Sequence, residues 1–247
     1  MRFPSPAVLI FAVAAAAAAQ NAPWSYKGPD GPAYWGKLDP AYSTCSTGRQ
    51  QSPIDIRHPV LNPALKPIQF SFLAGPVTLE NDGHTVLVKV VPGSYMVANG
   101  VRYGLVRFEF HDPSEDAVKG VSSDMAVDFV FQSAAGKLAI LAVRMNSAQD
   151  FPNATLAMLW THLPAAQGQR EEITDMVDPA GLLPADRSYW TYMGSLTRPP
   201  CTEGVRWFVL RRQLSISRSQ LHAFARLFPM NVRPLQDLRG RRVEASQ

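Results

Sequence analysis

Hydrophobic and polar residues alternate with a period of two along much of the chain, which is the pattern of half-buried β-strands. The alternating segments are short, and turns rich in Gly, Pro, Asn and Asp separate them. We predict strands at 65–73, 75–79, 85–91, 104–110, 125–131, 138–144, 190–196 and 205–210. The pattern therefore predicts a mainly β protein with one large sheet.

Two segments have helical spacing instead. Residues 217–228 place apolar side chains on one stripe, and Ser217 or Ser219 is a suitable N-cap. Residues 154–163 follow Pro152 and have the same periodicity. No repeat, linker or composition break separates any part of 20–247, so we expect a single domain with a few short peripheral helices.

Composition and charge exclude some classes of protein. The 247 residues are 46% hydrophobic and 18% charged, which is enough to bury a core. The net charge is +4, but no run of five like charges occurs, nor does a basic stripe interleaved with aromatic residues. We therefore expect no nucleic-acid partner. The composition does not identify a protein partner or a ligand.

The N-terminus has the pattern of a secretory signal peptide. Arg2 precedes an apolar stretch at 7–19 that ends in small residues and is too short to span a bilayer. We predict a signal peptide at 1–19, no later membrane span, and a secreted or periplasmic protein. An exported chain with two cysteines favours one disulfide, Cys45–Cys201, over two buried thiols. It would close a loop of roughly 155 residues, which contributes at most about 4–5 kcal/mol.

The segment RFEFHD, at 107–112, carries the most informative candidate chemistry. On a strand, Arg107, Glu109 and His111 point to one face, and Phe108 and Phe110 point to the other. A Glu-x-His pair on a strand can place two metal ligands on the same face of a sheet. From the residues alone, a metal site, the remnant of one and a simple charged patch all stay open.

Six segments together resemble the α-class carbonic anhydrases. In chain order they are WSYKGPDGPAYW (24–35), QQSPIDI (50–56), ENDGHTVLV (80–88), PSE (113–115), GSLTRPPC (194–201) and NVRPLQDLRGR (231–241). They cover essentially all of the chain after the signal peptide. The resemblance implies a large central, mostly antiparallel twisted β-sheet, with the active site in a cone-shaped cavity over its centre.

The resemblance also implies a zinc ion held by three neutral imidazoles, which lower the pKa of the bound water to near 7. In this chain the three matching positions are Glu109, His111 and Asp128. None of the other four histidines is placed to substitute for a lost ligand. The positions that orient the ligands have changed as well, to Arg107 and Ala126. The sequence resembles a family member with a degenerate zinc site.

Two arrangements would neutralise these carboxylates. In the first, Arg107 forks across Glu109 and Asp128. In the second, Glu109, His111 and Asp128 hold a divalent cation, and manganese, iron(II) or magnesium suits them better than zinc. We favour the first, which predicts no cofactor and an exported protein that keeps its cavity for an unknown ligand or partner. The alternative is an active carbonate dehydratase, or another metal-dependent lyase or hydrolase.

Other positions match the family's catalytic machinery. Thr197 and Glu115 match the pair that orients the attacking hydroxide, although this hydrogen bond would also brace the loop. His84 matches the proton shuttle, although a surface histidine in a turn can be incidental. The positions that resemble the CO2 pocket, or adjoin Thr197, are Val130, Val143, Leu196, Arg198 and Trp207. The apolar members of that set are also ordinary core residues.

Overall fold

The structure is a computed structural model that describes residues 22–247. The predicted signal peptide at 1–19 lies outside the described residues. Within them, no helix is both long and apolar enough to cross a membrane. The secondary structure consists mainly of strands, which confirms the mainly β class predicted from the alternating pattern.

Fifteen strands follow one another along the described chain. They are β1 (Asp55–Ile56), β2 (Val60–Leu61), β3 (Gln69–Ser71), β4 (Gly75–Asn81), β5 (Val86–Val90), β6 (Tyr95–Ala98), β7 (Val101–His111), β8 (Ala117–Val118), β9 (Met125–Ser133), β10 (Leu138–Asn146), β11 (Arg170–Val177), β12 (Tyr189–Ser195), β13 (Glu203–Leu210), β14 (Leu214–Ser215) and β15 (Glu244–Ala245).

Thirteen of these strands form one large sheet. Its main path runs β11-β4-β5-β7-β9-β10-β13-β12-β15-β2, and β1 pairs with β8 outside it. Most neighbours are antiparallel, as expected, but β10 pairs in parallel with both β13 and β14, and β15 pairs in parallel with β2. The centre of the sheet is formed by β7, β9 and β10, so the longest strands carry the candidate metal ligands.

Four short α-helices lie around the sheet: α1 (Trp35–Leu38), α2 (Thr44–Thr47), α3 (Ala154–Trp160) and α4 (Arg218–Ala225). The predicted helix at 217–228 is α4, and Ser217 caps it in a capping box with Gln220. The helix predicted at 154–163 is α3, which Asn153 caps and which ends at Trp160. Both helices are shorter at their C-termini than the apolar periodicity indicated.

Seven of the fifteen strands were not predicted, and five of these (β1, β2, β8, β14 and β15) are only two residues long. Strand β11 is the outermost strand on its side of the sheet, and only two of its eight residues are buried. Charged side chains on such an edge prevent pairing with other chains, and they also hide the strand pattern. Strand β6 is four residues long and pairs with β3 and β7.

The two faces of the sheet bury different side chains. Phe108 and Phe110 belong to the larger hydrophobic core, whereas Val130 and Trp207 belong to a second cluster on the face that carries Glu109 and His111. Val143 was predicted to line the pocket, and this prediction is wrong. It pairs with Val127 and packs in the larger core, because successive residues of a strand point to opposite faces.

The predicted disulfide is present between Cys45 and Cys201, with a sulfur–sulfur distance of 2.07 Å. Both cysteines are buried with Trp35 and Tyr42, so the bridge ties the N-terminal arm to the loop between β12 and β13. A disulfide is consistent with an exported protein.

Candidate metal centre

Strands β7 and β9 place the candidate side chains on one face of the sheet. Glu109 lies directly opposite Asp128, and His111 lies directly opposite Ala126. All four residues are buried. Like charges at directly opposed positions destabilise a sheet, so the floor of the site needs cations or protons to balance its carboxylates.

Two arginines balance the first carboxylate. The Nε of Arg107 lies 2.7 Å from Oε2 of Glu109, and Nη2 of Arg198 lies 3.2 Å from the same oxygen. Burial alone would raise the pKa of Glu109, but Arg198 and Arg107 outweigh it and lower that pKa to about 2. We call these three residues the arginine cluster.

The arginine cluster corrects the predicted fork. Arg107 was expected to bridge Glu109 and Asp128, but among its ion pairs within 4 Å in the described chain only Glu109 occurs. The second guanidinium comes from Arg198, in the loop after β12, which sequence reasoning placed only at the pocket wall. Asp128 is therefore left without an arginine partner among the described residues.

The remaining acidic side chains gather around the histidine. Nε2 of His111 lies 3.7 Å from Oε2 of Glu115 and 3.9 Å from Oδ2 of Asp128. Each of the three residues offers a ligand atom, and these atoms lie within 4.8 Å of one another. We call His111, Glu115 and Asp128 the ligand cluster. The sequence predicted Glu109 as the third candidate ligand. In the structure Glu115 has that position instead, because Glu109 is paired with the two arginines.

The ligand cluster has unsatisfied hydrogen-bonding groups. Nε2 of His111, Oε1 of Glu115 and Oδ1 of Asp128 are buried and have no hydrogen-bond partner among the described residues. Burial and the neighbouring charges of Glu115 and Glu109 raise the pKa of Asp128 well above its usual range. Buried polar groups without partners are costly. One imidazole and two carboxylates that converge in this way fit a divalent cation.

The histidine of the cluster is oriented from behind. Nδ1 of His111 lies 3.1 Å from the backbone carbonyl of Asn231, so a proton on Nδ1 leaves Nε2 free to face the carboxylates. The side chain of Asn231 donates in turn to the carbonyls of His84 and Phe110. Sequence reasoning missed this role, although Asn231 begins the NVRPLQDLRGR motif.

The predicted threonine–glutamate pair is formed. Oγ1 of Thr197 donates to Oε2 of Glu115 at 3.0 Å, and both side chains are buried. The loop that carries Thr197 is held by Gln51, whose side chain donates to the carbonyl of Cys201 and accepts from Arg233. The hydrogen bond fits both predicted roles, the orientation of a reactant and the bracing of the loop.

His84 lies at the rim of the cavity, in the turn between β4 and β5. Its ring stacks on Trp24 with centroids 3.7 Å apart and planes 8° from parallel. Burial lowers the pKa of His84, and Arg198 lowers it further against the opposing effect of Asp82. The imidazole is therefore neutral near pH 7 and can accept a proton, as the predicted shuttle role requires.

The apolar residues beside the site form part of a packed cluster. Val130 and Trp207 are buried in the second core, and Leu196 is partly buried against it. Asp116 accepts from the hydroxyl of Tyr192 at 2.9 Å and has a pKa that burial raises to about 7. This acid was not predicted, since its place after Glu115 gave no signal of burial.

Solved structures with the same fold include carbonic anhydrases. The α-carbonic anhydrase of Thermovibrio ammonificans, solved with the inhibitor sulfanilamide, has a TM-score of 0.87 and 36% identity, and the match covers 92% of this chain and 100% of that one. Dioscorin, solved with ascorbate, has a TM-score of 0.84 and 32% identity over 90% of this chain and 97% of its own. The fold and the site therefore define a protein of the α-carbonic anhydrase class.

Sequence relatives agree with this class. A carbonic anhydrase from Pectobacterium carotovorum is 37% identical over 96% of both chains, and one from Neisseria gonorrhoeae is 36% identical over 93% of this chain and 90% of its own. The sequence model of the eukaryotic-type carbonic anhydrases matches residues 30–247. The chain belongs to this family, which confirms the resemblance carried by the six motifs.

Membership corrects the expectation that the protein takes no cofactor. The α-carbonic anhydrases are zinc enzymes, so an absence of metal is the wrong default for this chain. The expectation rested on the loss of two histidines and on Arg107 as an internal counter-charge for both acids. The geometry removes the second reason, because Arg107 does not reach Asp128.

Proposed function

We propose that this protein is an exported, divalent-metal-dependent carbonic anhydrase that hydrates CO2 at a non-standard site. The observation that carries the proposal is the ligand cluster, in which three buried ligand atoms converge without hydrogen-bond partners. The named carbonic anhydrases among the relatives support this alternative better than the non-catalytic binding protein that the sequence led us to favour.

In this proposal, His111, Glu115 and Asp128 hold the cation. When bound, it supplies a Lewis acid that polarises water, although two carboxylates offset more of its charge than neutral imidazoles do. Asn231 fixes the histidine ring by its contact at Nδ1. Thr197 keeps one oxygen of Glu115 in place, and His84 accepts a proton at the rim. We therefore expect activity to rise above neutral pH.

Stopped-flow CO2 hydration tests the proposal. The protein is treated with chelator and then reconstituted with Zn²⁺ or Mn²⁺, and rates are measured from neutral to alkaline pH. We expect a rate above buffer only in the reconstituted protein, with Asp128→Asn as the inactive control. Full metal occupancy without any CO2 hydration above the buffer rate would refute the proposed activity.

A restoration variant tests the chemical reason for the pH profile. The triple substitution Glu109→His, Asp128→His and Arg107→Gln rebuilds three imidazoles and a neutral neighbour. With zinc, we expect its pH profile to shift towards neutrality, because less of the metal's charge is offset. An unchanged profile would show that the carboxylates do not govern the activity.

A further inference from the structure

Arg198 connects the rim of the site to its floor. It follows Thr197 in the loop between β12 and β13, and its Nη1 lies 2.9 Å from Oδ2 of Asp82. Its Nη2 lies 3.2 Å from Oε2 of Glu109. Asp82 belongs to the turn that carries His84, whereas Glu109 lies on the central strand β7. One guanidinium therefore spans two opposing parts of the cavity.

Both ends of this connection are fixed. Asp82 accepts from the backbone N–H groups of His84 and Thr85, which holds its carboxylate in the turn. Glu109 is buried and also pairs with Arg107. Only 19% of the Arg198 side chain is exposed to solvent. Charge-assisted contacts at both ends and partial burial make this a defined position rather than a freely moving surface arginine.

The open space near the rim ends before the floor. A groove of about 750 Å³ is lined by Trp24, Tyr26, Gly83, His84, Pro199 and Asn231, among others, but Arg198, Glu109 and Thr197 are not part of its lining. Its wall includes the neighbours of both Asp82 and Arg198 in the chain. The side chains of His111, Glu115 and Asp128 are at most 3% exposed, so the ligand cluster is closed off from this groove.

We propose that Arg198 is a specificity-determining residue that bars the passage from the rim groove to the ligand cluster. A bare ion or a molecule as small as CO2 passes beside the guanidinium. A larger ligand such as an aromatic sulfonamide must displace Arg198 from Asp82 and Glu109. The consequence for substrate choice rests on the proposed function, but the barrier itself does not.

Chemical modification of His111 tests the barrier without any metal. Diethyl pyrocarbonate is applied to the chelator-treated protein, and modification is followed site by site by mass spectrometry, with exposed His222 as the internal reference. In Arg198→Ala we expect the rate at His111 to rise about tenfold relative to His222, which corresponds to an opening free energy of about 1.4 kcal/mol. An unchanged rate would overturn the proposal.

Arg107→Ala is the matched control, because Arg107 contacts the same oxygen of Glu109. We expect its His111 rate to stay near the wild-type value. If Arg107→Ala accelerates modification as much as Arg198→Ala, loosening of the floor explains the effect and the barrier is refuted. Arg198→Lys keeps the charge but cannot fork between two carboxylates, so an intermediate rate is expected even if the alanine variant fails to fold.

Sulfanilamide, the inhibitor bound in the Thermovibrio ammonificans structure, tests the consequence for specificity. We expect metal-loaded Arg198→Ala to bind it about tenfold more tightly than the wild type does. Equal affinities together with faster His111 modification would refute a role in specificity. Failure of the protein to bind any metal would refute the proposed function alone, since the modification experiment uses metal-free protein.

Discussion

The arginine cluster and the ligand cluster lie side by side on the same face of the sheet, yet their carboxylates are neutralised differently. In the arginine cluster two guanidinium groups reach one oxygen of Glu109 and lower its pKa to about 2. In the ligand cluster the pKa of Asp128 is raised, and three ligand atoms have no partner among the described residues. Long cationic side chains therefore decide which acids the chain balances itself and which need a proton or a metal ion.

The largest expected effect comes from removing the charge that the arginines share. Glu109→Gln leaves Arg107 without its ion-pair partner and leaves Arg198 paired with Asp82 alone, and we expect it to lower the free energy of unfolding by about 3 kcal/mol. That figure allows for the 22% and 19% exposure of Arg107 and Arg198. Urea unfolding of the metal-free protein measures it.

Two matched substitutions sharpen this result. Asp128→Asn should change the free energy of unfolding by less than about 1 kcal/mol, because burial raises the pKa of Asp128 and so favours the neutral form that Asn resembles. Glu80→Gln, at a surface carboxylate paired with Lys89 and Arg170, should also cost less than about 1 kcal/mol. A larger loss in Asp128→Asn than in Glu109→Gln would reverse the comparison.

Substitutions in the ligand cluster are expected to weaken metal binding more than a substitution in the arginine cluster. Glu115→Gln and Asp128→Asn should each weaken Mn²⁺ or Zn²⁺ binding by about 100-fold, since losing a ligand costs at least as much as losing an outer-shell partner. Glu109→Gln should stay within about threefold of the wild type. Isothermal titration calorimetry measures all three. Strong weakening in Glu109→Gln alone would restore the ligand set expected from the sequence.

The stability contributions of the two clusters should change with pH in opposite directions. The pKa of Glu109 is lowered from 4.5 to about 2 in the folded protein, so its contribution is present above pH 4.5 and is lost as the pH falls towards 2. The pKa of Asp128 is raised above 3.8, so its contribution is present at low pH and is lost as the pH rises through its folded pKa.

Unfolding of the metal-free protein across this range measures both contributions. Glu109→Gln should remove about 2 kcal/mol of the acid-side change, after allowance for the exposure of the arginines. Asp128→Asn should reduce the loss of stability that occurs as the pH rises through the folded pKa of Asp128. Parallel profiles for both variants and the wild type would mean that the two acids titrate alike.

The smallest expected effect concerns the brace on Glu115. Thr197→Val removes the hydroxyl that donates to Oε2 and should cost about 1.5 kcal/mol, the usual range for a hydrogen bond to a charged group. Thr202→Val, at an exposed position in the same loop, should cost less than about 0.5 kcal/mol. Thermal unfolding compares them, and equal costs would show that the threonine does not stabilise the ligand cluster.

Most of the fold followed from the sequence because alternation and turn residues are local signals. The eight predicted strands correspond to strands of the sheet, and Ser217 caps its helix as expected. Strand β11 was missed because edge strands carry charges that mask the alternation. Val143 was misplaced because an error of one position along a strand moves a side chain to the other face.

The sequence predicted which residues form the site, but not which of them pair with one another. Alternation along the strand predicted that Glu109 and His111 share one face, whereas the resemblance to the α-carbonic anhydrases supplied Asp128, Glu115 and Thr197. The sequence could not show that Arg198 reaches Glu109 across 89 positions, because a flexible side chain on a loop leaves no periodic signal. The same holds for the carbonyl of Asn231, which orients His111 from 120 positions away.

Anomalous diffraction from crystals grown with Zn²⁺ or Mn²⁺ tests most directly whether the ligand cluster is the metal centre. We predict one peak at the metal's absorption edge, bounded by Nε2 of His111, Oε1 of Glu115 and Oδ1 of Asp128, with Glu109 still paired to both arginines. A peak that includes Glu109, or saturating metal with no peak between these three atoms, would contradict it.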